Sequence, residues 1–175
     1  MGKIMSLVCS ETDELIPYWL NKGLAKKHRS DVERADIVIV PFENFRGIQF
    51  AFHQNTPHLF QYIKSGANGF EVEICADDEE YLEVALHGQA IRIGTIIATY
   101  VAIPIVVNLL SSYIYDEMKA KPKDTVEVSL IVQDHECKAF KFDFNGNAEE
   151  FNKLSDAAGE LARKCMSKKS AHHQQ

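Results

Sequence analysis

The chain reads as an α/β domain: a small, open, mostly parallel sheet entered through a β-α-β unit, then a central apolar helical segment, then a C-terminal β-hairpin closed by a helix. Three patterns carry that expectation. "RADIVIVP" is an uninterrupted β-branched run ending in proline, as in a strand covered on both faces. Ahead of it, Leu15, Ile16, Trp19, Leu20 and Leu24 recur at helical spacing. Near the far end, "TVEVSLIVQ" and "CKAFKFDFNG" alternate apolar and polar residues on either side of the polar turn "DHE". With 175 residues, 46% of them hydrophobic, the chain has enough apolar surface to bury a core without staples.

Taken in order, "KIMSLVCS" predicts a short first strand, and Ser10 or Asp13 is placed to cap the helix that follows, with Pro17 in its first turn. If "RADIVIVP" joins the same sheet, the crossover between the two strands is right-handed. "NTPHLFQYIKSGANG" opens on Thr-Pro and closes on glycine, so a short helix is expected from 57 to about 65. "FEVEICA" alternates as a third strand. In "DDEEYLEVALHG", Asp77 and Glu80 stand at capping-box spacing, which favours a helix start over a cluster of catalytic acids.

Residues 93–115 hold no charge over 23 positions, long enough to cross a bilayer. Divided at Pro104, however, the second part is amphipathic. Val106, Leu109, Leu110, Tyr113 and Ile114 share one side of a helical wheel, and Asn108, Ser111, Ser112 and Tyr115 the other. In the first part Gly94, Ala98 and Ala102 recur every fourth residue, a groove of small side chains that lets another element come close. The expected arrangement is a kinked helical segment packed against protein, with a membrane-inserted effector, Asn108 facing an oligomer interior, as the alternative. Beyond the hairpin, Asn147 and Glu150 resemble a capping box, and Phe151, Leu154, Ala158, Leu161 and Cys165 form the buried stripe of a last helix. The resulting organisation is an α/β domain over 1–92, an apolar helical segment over 93–119, a hairpin and helix over 120–166, and a tail from 167 to 175.

A net charge of -6 and a pI near 5.6 argue against a nucleic-acid footprint, which needs clustered Lys and Arg. The basic pieces "KKHR" and "RKCMSKK" read as a solvated helix end and a frayed terminus. Cys9, Cys75, Cys137 and Cys165 form no C-x-x-C pair, so reduced thiols are expected. With no secretory signal in "MGKIMSLVCSE", a cytoplasmic location follows, although "MGKIMS" formally fits a myristoylation pattern.

In a parallel α/β sheet, ligands bind outside the carboxyl ends of strands. That rule nominates "CSETDE" and "PFENFRG", with Glu43 and Asp13 as the candidate catalytic pair and Ser10, Thr12, Asn44 and Arg46 as substrate-binding groups. The structural alternative is that Ser10 and Asp13 cap a helix while Glu43 pairs with Arg46. Neither the dinucleotide fingerprint nor the phosphate loop occurs, and no cofactor is expected. His53, His58, His87 and His135 lack zinc-ligand spacing, so no metal site is expected. The favoured function is a non-catalytic regulatory or protein-interaction domain of immunity or antitoxin type. Its support is the acid excess of the first 92 residues, 14 Asp and Glu against 9 Lys and Arg, and the surface Gly94, Ala98, Ala102 and Asn108 for a protein partner or a second copy. A small hydrolase or transferase acting on a nucleoside, nucleotide or sugar, with Glu43 as base, is the enzymatic alternative.

Overall fold

The computed structural model describes residues 4–133 and 137–173. Its strands are β1 (Ser6–Glu11), β2 (Ile37–Val40), β3 (Phe42–Phe45), β4 (Ile48–His53), β5 (Val72–Ile74), β6 (Glu83–Val84), β7 (Ile91–Thr99), β8 (Thr125–Gln133) and β9 (Phe140–Asn147). Its α-helices are α1 (Ile16–Leu20), α2 (Arg29–Arg34), α3 (Thr56–Gly66), α4 (Ile103–Ser112) and α5 (Asn152–His173). A six-stranded sheet has the order β1-β9-β8-β7-β2-β5, and a three-stranded one the order β3-β4-β6.

The α/β class holds, but the main sheet is mixed rather than mostly parallel. β7 with β8 and β2 with β5 run parallel; β1 with β9, β9 with β8, and β7 with β2 run antiparallel. The expected β-α-β start fails for the same reason. β1 sits on the sheet edge, three strands separate it from β2, and the chain of pairings makes the two antiparallel. The β-α-β units lie elsewhere, in β7-α4-β8 and in β2-α3-β5.

That placement resolves the charge-free run. Its first part is not helical: residues 93–99 are most of β7, an interior strand whose Ile96, Ile97 and Ala98 are buried. Uniformly apolar sequence is what a strand covered on both faces requires, and its many Ile and Thr residues pack well on a pleated surface. Gly94 and Ala98 therefore belong to a strand, Ala102 is the N-cap of α4, and no small-residue helix groove joins them. The second part behaves as its wheel predicts. Pro104 stands in the first turn of α4, Val106, Leu110, Tyr113 and Ile114 are buried, and Asn108 is exposed. α4 has 10 residues and rises about 15 Å, half of the roughly 30 Å hydrocarbon layer. Among the described residues no helix is long and apolar enough to cross a membrane.

Two cores flank the sheet. On one face, α3, α4 and α5 cover Ile37, Ile39, Ile96, Ala98, Val126, Val128, Leu130, Phe142 and Phe144. Helix α3 approaches α4 closely at Gly66, where a Cβ would lie 2.5 Å from Leu109 Cδ2. On the other face, Ile16, Trp19, Leu20, Leu24 and Val32 cover Val38, Val40, Ile97 and Ile131. α1 is only five residues long because Gly23 and Ala25 take positive φ values of 92° and 56° and break the stripe into a turn. Its N-cap is Leu15, with no side-chain hydrogen bond, so Ser10 and Asp13 do not cap it.

The remaining local expectations divide. α3 spans 56–66 as its Thr-Pro opening predicts, and Asn68 and Gly69 leave it at positive φ. The capping-box hydrogen bond of "DDEE" forms, Asp77 N–H donating to Glu80 Oε1 at 2.6 Å, yet a turn and the two-residue β6 follow instead of a helix. The β8–β9 hairpin forms in register, while its "DHE" turn, 134–136, lies outside the described residues. The capping box at Asn147 and Glu150 is not made, and a 3₁₀ turn leads into α5. α5 buries Leu154, Ala158, Ala162 and Cys165, with Phe151 buried just ahead of it, and runs on to His173, through most of the expected tail. Cys137 and Cys165 are joined in a disulfide with Cα atoms 6.1 Å apart, correcting the expectation of four thiols. No C-x-x-C spacing announces such a bond, because only the packing of α5 against the hairpin brings the two together.

Candidate functional site

The two predicted loops do not form one site. Because β1 and β2 are antiparallel and three strands apart, their carboxyl ends lie at opposite ends of the sheet. Ser10 is still within β1 and exposed, Thr12 accepts the Glu14 N–H at 3.0 Å, and Asp13 is exposed beside them. "PFENFRG" is not a ligand loop but the hairpin β3–β4, turned through Arg46 and Gly47 at φ 48° and 81°. Two consecutive positive φ values match the twist of a two-residue hairpin. The glycine after five aromatic and polar residues, with "IQFAF" beyond it, is the readable signal for that turn.

Within this hairpin Glu43 turns toward α1. Its Oε1 accepts the Tyr18 hydroxyl at 3.0 Å and its Oε2 pairs with Lys22 Nζ at 2.7 Å. The Lys22 ammonium also lies 4.5 Å from the centre of the Tyr18 ring. The partner of Glu43 is thus Lys22, not Arg46, which rests on Phe45 at 5.0 Å while Asn44 is exposed at φ 58°. The two Glu43 oxygens thus fasten the hairpin to α1 through Tyr18 and to the turn after it through Lys22.

The acidic run 77–80 fastens another loop. Glu80 Oε1 accepts the Ala25 N–H at 2.6 Å, Asp77 Oδ1 accepts the Lys27 N–H at 3.1 Å, and Glu79 pairs with Lys27. His28 places Nδ1 2.9 Å from Asp77 Oδ1 and Nε2 3.2 Å from the Ile74 carbonyl. Both ring nitrogens face acceptors, and only the imidazolium donates from both. Burial pulls the His28 pKa down, but the Ile74 carbonyl and Asp77 carboxylate more than offset it, so it lies above the ordinary 6.5.

Groups with chemical potential gather instead on the half of the second sheet face that α1 and α2 leave uncovered. The period-2 alternation of β8 and β9 turns Glu127, Ser129, Asp143 and Asn145 to this side, and the register sets Ser129 opposite Asp143 and Glu127 opposite Asn145. β7 adds Thr95, β1 adds Ser6, and the end of β4 leans over with His53. Together with Phe42 and Gly94 they enclose a pocket of about 320 Å³. A bulge in β7 between Arg92 and Gly94 makes the room: Gly94 has φ 94°, and a Cβ there would stand 3.3 Å from His53 Cδ2. The His53 ring packs on Phe42 with centroids 4.8 Å apart. Burial, and then the neighbouring Arg92 charge, hold its pKa below 6.5, so it is neutral at pH 7.

The pocket's hydrogen bonds are unevenly satisfied. Ser129 donates its hydroxyl to Asp143, Asn145 Nδ2 donates to Glu127 at 3.2 Å, and Arg92 Nε pairs with Glu127 at 3.2 Å. Asn145 Oδ1 is buried with no hydrogen-bond partner. Sequence patterning contained half of this site, since alternation puts Glu127 with Ser129 and Asp143 with Asn145; the strand register that joins the pairs was not in it.

Thiol chemistry is quiet. Burial pushes Cys75 up to about 12, so at pH 7 it is a thiol rather than a nucleophilic thiolate, and burial also raises Cys9. His58 contacts the Tyr113 hydroxyl at 3.2 Å and Glu117 at 3.4 Å. Among the described residues no three His, Cys, Asp or Glu side chains converge as metal ligands; His135 lies outside those residues. Comparisons with protein-family models, with curated proteins and with solved structures found no match to this chain.

Proposed function

We propose that this chain is a non-catalytic protein-interaction domain that takes an extended segment of a partner protein alongside β1. The carrying observation is the asymmetry of the two sheet edges. At one edge β5 offers three residues, with Glu73 in the middle, too short and too acidic to template a strand. At the other, β1 offers six, "SLVCSE", with no proline, no lysine and no bulge, and Val8 is 53% exposed. A strand whose outer side carries unpaired N–H and C=O groups gains a ladder of hydrogen bonds when an extended peptide is added, and alternate side chains supply specificity.

The engagement of Glu43 by Tyr18 and Lys22 speaks for this reading over a hydrolase or transferase using that carboxylate. The deciding experiment is affinity capture with the wild-type chain and with Val8→Lys, a charge on the open side of the edge that leaves both cores untouched. The wild type is expected to retain one stoichiometric protein partner and the variant to lose it. Equal capture by both, or a wild-type chain that stays alone at every concentration and retains nothing, removes the proposal; a β1-dependent homodimer would identify the partner as a second copy.

A further inference from the structure

We propose that the Cys137–Cys165 disulfide is a thiol-sensitive latch: a small thiol reduces it in the folded chain, and reduction releases the last turns of α5 while the sheet and both cores stay in place. Two observations carry this, the way α5 is fastened and the position of the bond on an open cavity.

Over its first half α5 is anchored by packing. Leu154, Ala158 and Ala162 are buried in the core, with Ala157 and Leu161 packed beside them. Past Ala162 the anchoring changes. Arg163, Lys164, Met166, Ser167 and Lys168 are exposed, and among residues 163–168 only Cys165 is buried. The helix nevertheless runs on to His173. In water each further residue of a helix gains little by propagation alone, so an end that buries almost nothing frays unless something ties it. The tie here is covalent. At its other end, Cys137 lies beyond the last β8–β9 pair, Val132 with Phe140, so no ladder hydrogen bond of that hairpin depends on it.

The bond is also open to a reagent. Both cysteines line a cavity of about 670 Å³ between α5 and the end of the hairpin, floored by Tyr100, Phe140 and Leu161 and bordered by the exposed Lys138 and Lys168. That volume is within the range of small-molecule sites, so a thiol the size of a tripeptide can enter. Cys137 is half-buried and Cys165 only 5% exposed, which makes the Cys137 sulfur the one to be attacked. An external thiolate bonds to Cys137 Sγ, the disulfide breaks and Cys165 leaves as a thiolate. A second external thiolate then attacks the external sulfur of the mixed disulfide, frees Cys137 and departs as the oxidised dimer of the reductant. Two external thiols are oxidised, one protein disulfide is reduced, and the two cysteines take up the two protons. Lys138 and Lys164, next to the two cysteines in the chain, favour the departing thiolates. The latch is separate from partner capture at the β1 edge, and failure of that capture leaves it standing.

The test compares the full chain as oxidised, after treatment with glutathione at neutral pH without denaturant, and as Cys165→Ser. Should that variant fail to fold, Cys137→Ser, at the less buried position, takes its place. Alkylation with iodoacetamide and mass mapping are expected to find Cys137 and Cys165 blocked before glutathione and labelled after it, with the exposed Cys9 labelled in both states and the buried Cys75 in neither. In the reduced chain the helical Cα shifts of residues 163–173 are expected to fall by about half or more, and trypsin to cut after Arg163, Lys164 or Lys168 about tenfold faster, while the shifts of α4 and the sheet hold. The serine variant should behave as the reduced chain with or without glutathione. Labelling of Cys137 and Cys165 before any reductant would overturn the proposal. So would a bond that opens only once the chain is denatured, or a reduced chain that keeps its helix to residue 173 and its slow cleavage. Loss of the α4 and sheet shifts together with those of α5 would overturn it as well, since the bond would then hold the whole fold and not a latch.

Discussion

The two faces of the main sheet are built on different terms. One is closed over β9, β8, β7, β2 and β5 by α3, α4 and α5, and nearly every side chain between is apolar and buried. The other is closed only over β2, β7 and the adjoining end of β8, by the short α1 and α2, and then opens onto carboxylates, hydroxyls and an amide. The closed face is held by dispersion and water exclusion, which need no particular partner. The half-open face adds specific charged hydrogen bonds to a smaller apolar core, and part of it stays uncovered. The comparison yields a graded set of expectations.

The largest loss belongs to the closed face. Leu110→Ala removes a fully buried side chain from α4, and its cost is expected at about 3 kcal/mol, within the range of large-to-small core changes, by denaturant melts. Reducing the Cys137–Cys165 bond, which ties α5 to the end of the β8–β9 hairpin across a separation of 28 residues, should cost about 3.6 kcal/mol by the loop-entropy relation. A melt unchanged by reductant would show that α5 holds its place by packing alone. On the other face, Asp77→Asn weakens the acceptor for the Lys27 N–H and for His28 and should cost about 1–2 kcal/mol. If it instead cost as much as Leu110→Ala, the contrast between faces would collapse.

The two histidines of the half-open face sharpen the contrast through pH. His28 has a raised folded pKa, so its stabilisation is complete below the unfolded value near 6.5 and is lost as pH rises through the folded value above it. His53 has a lowered folded pKa. The unfolded chain takes up its proton first, so stability falls as pH drops below 6.5 and the loss is complete once the folded value is passed. His28→Gln should flatten the alkaline limb of the stability profile and His53→Gln the acid limb, each leaving the other limb in place. The smallest effect is Val8→Thr on the open edge, expected within about 0.5 kcal/mol of the wild type because the side chain is half exposed.

How much of this was legible beforehand can be argued element by element. The strand "IVIV", the helix opened by Thr56 and Pro57, the amphipathic α4 and the stripe of α5 follow from local patterns that bury or expose side chains whatever their neighbours. The first part of the charge-free run is a strand despite its helix-like spacing, because the four-residue step from Gly94 to Ala98 also keeps to one face of a strand, and Ala102 lies beyond it. Its Ile and Thr content was the better guide. The paired acids of 77–80 were rightly read as structural, though their hydrogen bonds tie down a loop rather than start a helix.

By itself, the sequence determined the class of the domain, the positions of its covered strands, the polar side of α4 and the absence of familiar nucleotide or zinc motifs. Tertiary structure alone decided the strand order and directions, the Cys137–Cys165 bond, the capture of Glu43 by Lys22 and the pocket over Asp143 and Asn145. The reason is physical. Burial and dihedral preferences act within a few residues, whereas pairing register and partner choice are settled by which distant segments can satisfy one another's hydrogen bonds and exclude water together.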